Sequence, residues 1–257
     1  MNRATIAMEG GRGGETPAVT VAISLYNYER FVTSCLESVM VQTLTDIDLI
    51  VVDDCSKDDG ATVVKDWLAT HGDRFNNYRL IVHTRNMGLS AARNTGFEYA
   101  RSKYVFVLDA DNLIYARCLA SLASALDNCD ASFGYSYQEK FGDVSCLQNV
   151  TPWNANSLQK GNTVDAMVLM QRNAWERAGG YSENETMRLG WEDFEMWFKI
   201  ARIGGWGILV REILGRYRVH GQSMLRTTTN PNAPRLWAYL RTTYPEFFTN
   251  EFQRSAP

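Results

Sequence analysis

Two carboxylates, one residue apart, close a strongly apolar run near the middle of the chain. Asp109 and Asp111 follow residues 104–108, a Tyr-Val-Phe-Val-Leu run that is typical of a buried parallel strand. Their oxygens could bind a hard divalent cation, and such a cation could in turn bind a diphosphate. Asp and Asn are also common turn residues, so an ordinary strand-ending turn is the alternative for this stretch in isolation.

The segments that would position these acids alternate between strand-like and helix-like patterns. Predicted strands cover residues 19–25, 48–52, 79–82 and 104–108, and predicted helices cover residues 31–42, 62–71 and 90–100. Further on we predict helices over 116–126 and 191–203, a strand over 131–138 and extended runs over 207–210 and 213–219, whereas residues 142–163 are polar, Asn-rich and without a clear pattern. The alternation predicts an α/β fold with a mostly parallel sheet, in which ligands bind at the carboxyl ends of the strands.

Composition excludes several classes of protein. A formal charge of -3 with scattered basic residues provides no positive field for nucleic acid. Five cysteines without metal-type spacing indicate reduced thiols in the cytoplasm. We expect no membrane span and no signal peptide, since no apolar run is long enough and the Gly-rich start lacks an apolar core. The glycines also lack dinucleotide-binding or P-loop spacing, which is against a dehydrogenase or a kinase.

Seven short blocks of sequence are informative as an ordered set. They comprise residues 21–27, 51–58, 86–94, 108–112, 179–181, 190–193 and 217–220. Any single block is a weak signal, but their order and spacing together are specific. The set resembles the family 2 glycosyltransferases of GT-A fold, and the resemblance covers roughly residues 19–223, most of the chain.

The resemblance implies a definite domain organisation. We expect a GT-A fold, α/β in class, in which a Rossmann-like nucleotide-binding half is fused to a smaller acceptor-binding half around one mostly parallel mixed sheet. The catalytic domain would cover residues 19–225, with the nucleotide-sugar-binding half over 19–112 and the acceptor half over 113–225. Residues 1–18 would be a flexible N-terminal segment. Residues 226–257 would form a C-terminal tail whose aromatic residues dock on the domain, with a partner or a membrane surface as alternatives.

The implied activity is a hexosyl transfer with inversion, in polysaccharide biosynthesis. One sugar would move from a nucleotide diphosphate donor, usually a UDP-sugar, to a hydroxyl of a glycan or lipid-linked glycan, assisted by Mn²⁺ or Mg²⁺. Because the Gln-x-x-Arg-Trp segment and the membrane spans of processive synthases are missing, a single-sugar transferase is favoured, located in the cytoplasm with peripheral contact to the inner face of the membrane. Two alternatives stay open, a sugar-1-phosphate nucleotidyltransferase and a nucleotide-sugar-binding pseudoenzyme that serves as a scaffold.

Three residues match positions at which the family contacts the nucleobase. Ser24 and Tyr26 follow the first strand, where a tyrosine ring can stack on a pyrimidine. Asp54 matches the acid that accepts a hydrogen bond from the base. The alternatives are a packed aromatic for Tyr26 and a helix cap for Asp54.

Four residues match the diphosphate and metal positions of the family. Arg93 would contact phosphate or clamp Asp109, with a surface salt bridge as its alternative, and Asp109 would lie near the ribose. Asp111 would bind the metal directly. His220 would add to the metal shell or contact the diphosphate, although a lone histidine after a strand is more often structural.

The last group of residues matches the acceptor side. Asp193 occupies the place of the general base in the family's Glu-Asp motif. Glu192 and Trp191 would contact the acceptor, the latter by offering an apolar face to a sugar ring. The alternatives are that Glu192 and Asp193 only complement a helix dipole and that Trp191 only packs in the core.

Overall fold

One mixed sheet organises the computed structural model, which describes residues 3–14 and 16–249. Its strands are β1 (Ala4–Gly10), β2 (Val19–Leu25), β3 (Ile47–Asp53), β4 (Tyr78–His83), β5 (Tyr104–Asp109), β6 (Leu113–Ile114), β7 (Phe133–Gly142), β8 (Cys146–Leu147), β9 (Leu169–Gln171) and β10 (Gly207–Val219). The order across the sheet is β1-β4-β3-β2-β5-β9-β7-β10-β6, with β8 paired to β7. The helices are α1 (Glu29–Met40), α2 (Gly60–His71), α3 (Leu89–Tyr99), α4 (Cys118–Asp127), α5 (Arg172–Ala178), α6 (Glu192–Arg202) and α7 (Ala233–Thr243).

Parallel strands form the centre of the sheet. β2 pairs in parallel with both β3 and β5, and β3 pairs in parallel with β4. Every residue of β2 and β3 is buried, because helices cover both faces, and this explains their continuous apolar sequences. The predicted strands and helices of this half agree with the observed ones to within about two residues. Their carboxyl ends meet at one edge of the sheet, as an open α/β architecture requires.

The N-terminal segment is more ordered than the sequence predicted. Residues 1–18 were expected to be flexible, whereas Ala4–Gly10 form the edge strand β1, antiparallel to β4 from the Ala4–His83 pair to the Gly10–Tyr78 pair. The glycine-rich composition begins only where this strand ends. An edge strand is stabilised mainly by main-chain hydrogen bonds to its neighbour, and these leave little trace in side-chain composition.

The second half is less regular than the first. β9 lies antiparallel between β5 and β7 and so joins the two halves of the sheet. The two extended runs predicted over 207–210 and 213–219 form one strand, β10, which is irregular between Val210 and Gly215. The unassigned residues 142–163 begin at the last residue of β7 and otherwise contain only β8 and a 3₁₀ turn, Ala155–Lys160. The sequence analysis missed β9 and α5, which are too short to show a period.

The C-terminal tail packs against its own domain. Leu236, Leu240, Tyr244 and Phe247 are buried, so the predicted docking is confirmed for the described part of the tail, and residues 250–257 lie outside it. Among the described residues, no helix is both long and apolar enough to cross a membrane.

Candidate active site

A cavity of about 840 Å³ opens at the carboxyl ends of β2, β3 and β5. Residues 161–166 and the start of α6 form its other wall. Apart from His220, the predicted site residues all line this cavity, namely Ser24, Tyr26, Asp54, Arg93, Asp109, Asp111, Trp191, Glu192 and Asp193. The fold therefore brings together positions that span most of the chain.

Asp54 lies at the end of the cavity that is predicted to bind the nucleobase, and its carboxylate is already hydrogen-bonded within the protein. Its carboxylate accepts the backbone N–H groups of Met87 and Gly88, both at 2.7 Å, and Nδ1 of His83 at 2.7 Å. It thereby fixes the loop that starts α3 rather than capping α2, the alternative suggested by the sequence. A carboxylate offers about four acceptor positions, so one remains for a base N–H. Tyr26, 37% exposed, presents its ring at the surface of the same end.

Arg93 connects the two walls of the cavity. It is buried on α3, and its Nη2 donates to Oδ1 of Asp109 at 2.9 Å while its Nη1 donates to Oε1 of Glu192. The surface salt bridge considered from the sequence is wrong, since Arg93 is only 3% exposed. Glu192 was predicted to bind the acceptor. One of its carboxylate oxygens accepts the hydrogen bond from Arg93 and so links α6 to α3.

Asp111 and His220 form a buried pair beside the cavity. Nε2 of His220 lies 3.0 Å from Oδ2 of Asp111. Burial, together with the charge of Asp109, raises the pKa of Asp111 to about 6, and the contact with His220 opposes the rise. Asn112 helps to bring His220 here, because its Oδ1 accepts the backbone N–H of Arg218 at 2.8 Å near the end of β10.

The donor set of this pair fits Mn²⁺, for which carboxylate and imidazole are both acceptable ligands. Residues 3–14 and 16–249 contain no group of three or more His, Cys, Asp or Glu side chains arranged to hold a metal. Mg²⁺-type sites commonly use only one or two carboxylates and complete their shell with substrate phosphates and water. Asp111 and His220 are therefore the residues that could hold a cation together with a diphosphate.

Asp193 lies in the first turn of α6 and is half-buried at the cavity wall. Its Oδ2 accepts a hydrogen bond from Nδ2 of Asn162 at 2.9 Å. Burial and then the charge of Glu192 raise the pKa of Asp193 to about 8, against the opposing effect of Arg93. A carboxyl group with a pKa near neutrality can accept a proton from a substrate and release it again.

Trp191 precedes α6 in a left-handed conformation, with φ 62°. Such backbone costs about 1 to 3 kcal/mol for a bulky residue and persists only where the surroundings hold it. The ring lines the cavity and also packs edge-on against Trp237 of α7, with the ring centroids 5.3 Å apart. The ring therefore takes part in aromatic packing and also lines the cavity, and its contact with an acceptor stays a prediction.

Several cavity residues were given no role by the sequence analysis. They are Asn86, which lies in one of the seven blocks, and Asn162, Asp165 and Arg188, which lie outside them. Arg188 donates to the side-chain oxygen of Asn86 at 3.0 Å, and burial raises the pKa of Asp165, whose Oδ1 accepts the N–H of Met167 at 3.0 Å. Asn162 falls in the stretch without a pattern and Asp165 lies just after it. The only indication of a functional segment here was the length of the polar stretch, which is too long for a simple turn.

Known proteins are similar to this chain in sequence and in fold. The putative glycosyltransferase EpsH of Bacillus subtilis (strain 168) is 36% identical over 131 residues, 51% of this chain and 36% of EpsH. The chain thus spans about a third of that relative's length. Among solved structures, S. aureus TarS 1-349 in complex with UDP-GlcNAc has a TM-score of 0.68 at 17% identity, covering 81% of this chain and 60% of TarS.

A second structural neighbour comes from another organism. The mannosyltransferase PcManGT from Pyrobaculum calidifontis, in complex with GDP-Man and Mn²⁺, has a TM-score of 0.63 at 20% identity and covers 95% of this chain and 67% of PcManGT. These likenesses confirm the predicted GT-A fold. The model of glycosyl transferase family 2 matches residues 20–174, more than half of the chain, and the chain therefore belongs to that family.

Proposed function

We propose that this family 2 glycosyltransferase moves one hexose from a nucleotide diphosphate donor to an acceptor hydroxyl, with inversion and with the help of Mn²⁺ or Mg²⁺. One observation carries the proposal. Asp111 and Asp193 line a single cavity from different elements, one beside an imidazole and the other with a pKa raised to about 8. These environments suit two different tasks, cation binding and proton transfer.

The donor would lie along the ends of β2, β3 and β5. Tyr26 and Asp54 would contact the base, Asp109 the ribose, and Asp111 and His220 would hold the cation. When bound, the cation would neutralise the diphosphate and stabilise the charge that develops on the leaving nucleoside diphosphate. Two neighbouring structures are complexes with UDP-GlcNAc and GDP-Man, and we infer a UDP-sugar here from the resemblance to the family.

The acceptor would approach along Trp191 and Asp193. The acceptor oxygen attacks the anomeric carbon, its proton passes to the carboxylate of Asp193, and the bond from that carbon to the diphosphate oxygen breaks. This single displacement inverts the anomeric centre and needs no protein nucleophile, so an α-linked donor yields a β-linked product. The proposed acceptor is a glycan or lipid-linked glycan, met in the cytoplasm or at the inner face of the membrane.

The test is a screen of UDP- and GDP-sugars by thermal shift and by donor hydrolysis, with and without Mn²⁺. At a hundredfold excess over Kd, the correct donor adds about 2.7 kcal/mol of stability, which raises Tm by about 5 to 10 °C. We expect the metal-dependent shift to vanish in Asp111→Ala and to persist in the control Asp66→Ala, an exposed residue of α2. Pyrophosphate release from a nucleoside triphosphate would instead identify a nucleotidyltransferase. Donor binding without hydrolysis or transfer would identify a scaffold.

A further inference from the structure

An amide side chain from the irregular half of the chain contacts the proposed base directly. Nδ2 of Asn162 donates to Oδ2 of Asp193 at 2.9 Å, and Oδ1 of the same amide accepts the N–H of Val164 at 3.2 Å. Both ends of the amide are therefore used. Only this orientation pairs its donor with a carboxylate and its acceptor with an N–H.

The local backbone explains how Asn162 arrives at this position. The 3₁₀ turn Ala155–Lys160 begins at Asn154, whose side chain accepts the N–H of Asn156 at 2.9 Å. The turn ends at Gly161, whose φ of +150° with ψ of 170° is a conformation that only glycine adopts readily. This break redirects the chain into the cavity wall, where the exposed side chain of Asn162 contacts Asp193.

The charges that face Asp193 explain what a neutral donor contributes. Glu192 on α6 and Asp165 from the cavity wall disfavour the carboxylate form, whereas Arg93 on α3 favours it. The phenols of Tyr181 and Tyr217 also lie within electrostatic range. A hydrogen bond donated by an amide favours the carboxylate without adding charge to the cavity.

From this contact we infer that Asn162 is a positioning residue, which orients the carboxylate of Asp193 toward the acceptor hydroxyl and favours its ionised form. The inference rests on the proposed function, because it concerns the base of that reaction. It goes further by assigning a role to a segment that the family motifs do not include. Asn162 need not touch the reacting atoms, since it acts through Asp193.

The experiment compares pH profiles of donor hydrolysis for the wild type, Asn162→Ala and Asn162→Asp. Losing the amide should lower kcat at pH 7 by roughly tenfold to a hundredfold, leave KM for the donor unchanged, and move the midpoint of the profile upward by about one unit. Asn162→Asp should move the midpoint further, because a second carboxylate replaces the donor. The control Gln159→Ala removes an exposed amide from the same segment and should retain the wild-type profile.

A second measurement needs no activity. The Tm difference between the wild type and Asp193→Asn, followed against pH, reports the proton affinity of Asp193, and the same pair in the Asn162→Ala background should report a higher one. If Asp193→Ala keeps its rate, the proposed function fails. The Tm measurement then still reports whether Asn162 changes the proton affinity of Asp193, because it does not depend on activity. If Asp193→Ala is inactive but the Asn162→Ala profile coincides with that of the wild type, the positioning role is overturned.

Discussion

The two walls of the cavity are built in different ways. The wall that we propose to bind the donor, called the donor wall below, consists of residues at the ends of the regular parallel strands β2, β3 and β5. Their positions follow from main-chain hydrogen bonding. The wall that we propose to bind the acceptor, called the acceptor wall below, consists of residues 161–166 and the start of α6. These residues are held by side-chain contacts such as the one between Asn162 and Asp193. The comparison indicates that the proposed donor site is fixed by the architecture, whereas the proposed acceptor site depends on individual side chains.

The two walls also differ in the electrostatic environments of their carboxyl groups. Asp111 on the donor wall has a pKa raised to about 6 and contacts an imidazole, whereas Asp193 on the acceptor wall has a pKa raised to about 8 and contacts a neutral amide. At pH 7 the first carboxyl is mostly ionised, as the proposed cation binding requires. The second mostly keeps its proton until the pH approaches 8, which suits a group that exchanges a proton with its substrate.

The largest expected effect tests whether the walls have separate tasks. Asp193→Asn should lower kcat by roughly 10² to 10⁴, because the general base is lost, while metal-dependent donor binding on the opposite wall persists. The measurement is steady-state transfer or donor hydrolysis together with donor Kd. In the wild type, the rate should rise with pH and level off above about 8, since only ionised Asp193 accepts a proton.

The comparison would be contradicted if one substitution removed both donor binding and turnover. If Asp193→Asn abolishes donor binding as well as turnover, the two walls do not act separately. Asp143→Asn, at an exposed aspartate outside the cavity lining, is the control and should change neither quantity.

Arg93, which joins the walls, should have the next largest effect. Arg93→Met removes the partner of two carboxylates, Asp109 and Glu192, and should lower the free energy of unfolding by about 3 to 5 kcal/mol, because buried charges lose their compensation. Chemical denaturation measures the loss. Arg101→Met is the control, since Arg101 is exposed and its pairing with Asp48 is loose at 3.7 Å. A loss at Arg93 no larger than that at Arg101 would show that the walls are not held together in this way.

The same contrast explains what could be predicted from the sequence. On the donor wall, Asp109 and Asp111 stand at the end of a strand whose apolar run is visible, so their meeting with Asp54 follows from α/β topology. The contact of Arg93 with Glu192 joins residues 99 positions apart and has no local signature. Asn162 was missed because irregular backbone has no period, and β1 because edge pairing depends on the neighbouring strand.

A smaller effect concerns the support of the acceptor wall from behind. Glu195 of α6 is buried, and its Oε1 accepts the hydroxyl groups of Tyr239 and Tyr244, each at 2.9 Å. Tyr244→Phe should lower the free energy of unfolding by about 1 to 3 kcal/mol, because a charged acceptor loses a buried donor. Tyr239→Phe, at a half-buried position on the same oxygen, should cost less. Thermal denaturation measures both variants. If Tyr244→Phe and Tyr239→Phe lose the same unfolding free energy, burial of the hydroxyl group does not decide how much each tyrosine contributes.

A further effect is a pH dependence of stability that separates Asp193 from an ordinary surface acid. Its pKa is raised from 3.8 in the unfolded chain to about 8 in the folded protein, so the folded state binds the proton more tightly. The stabilisation is complete below pH 3.8 and is lost as the pH rises toward 8. Asn cannot titrate, so the Tm of Asp193→Asn relative to the wild type should increase from pH 5 to pH 8 and then level off. Asp66→Asn should show no such trend, and a flat difference for Asp193→Asn would mean that the acceptor wall does not hold the proton. A rising one would show that the site keeps its base at a cost in stability, as expected where a carboxyl is buried for function.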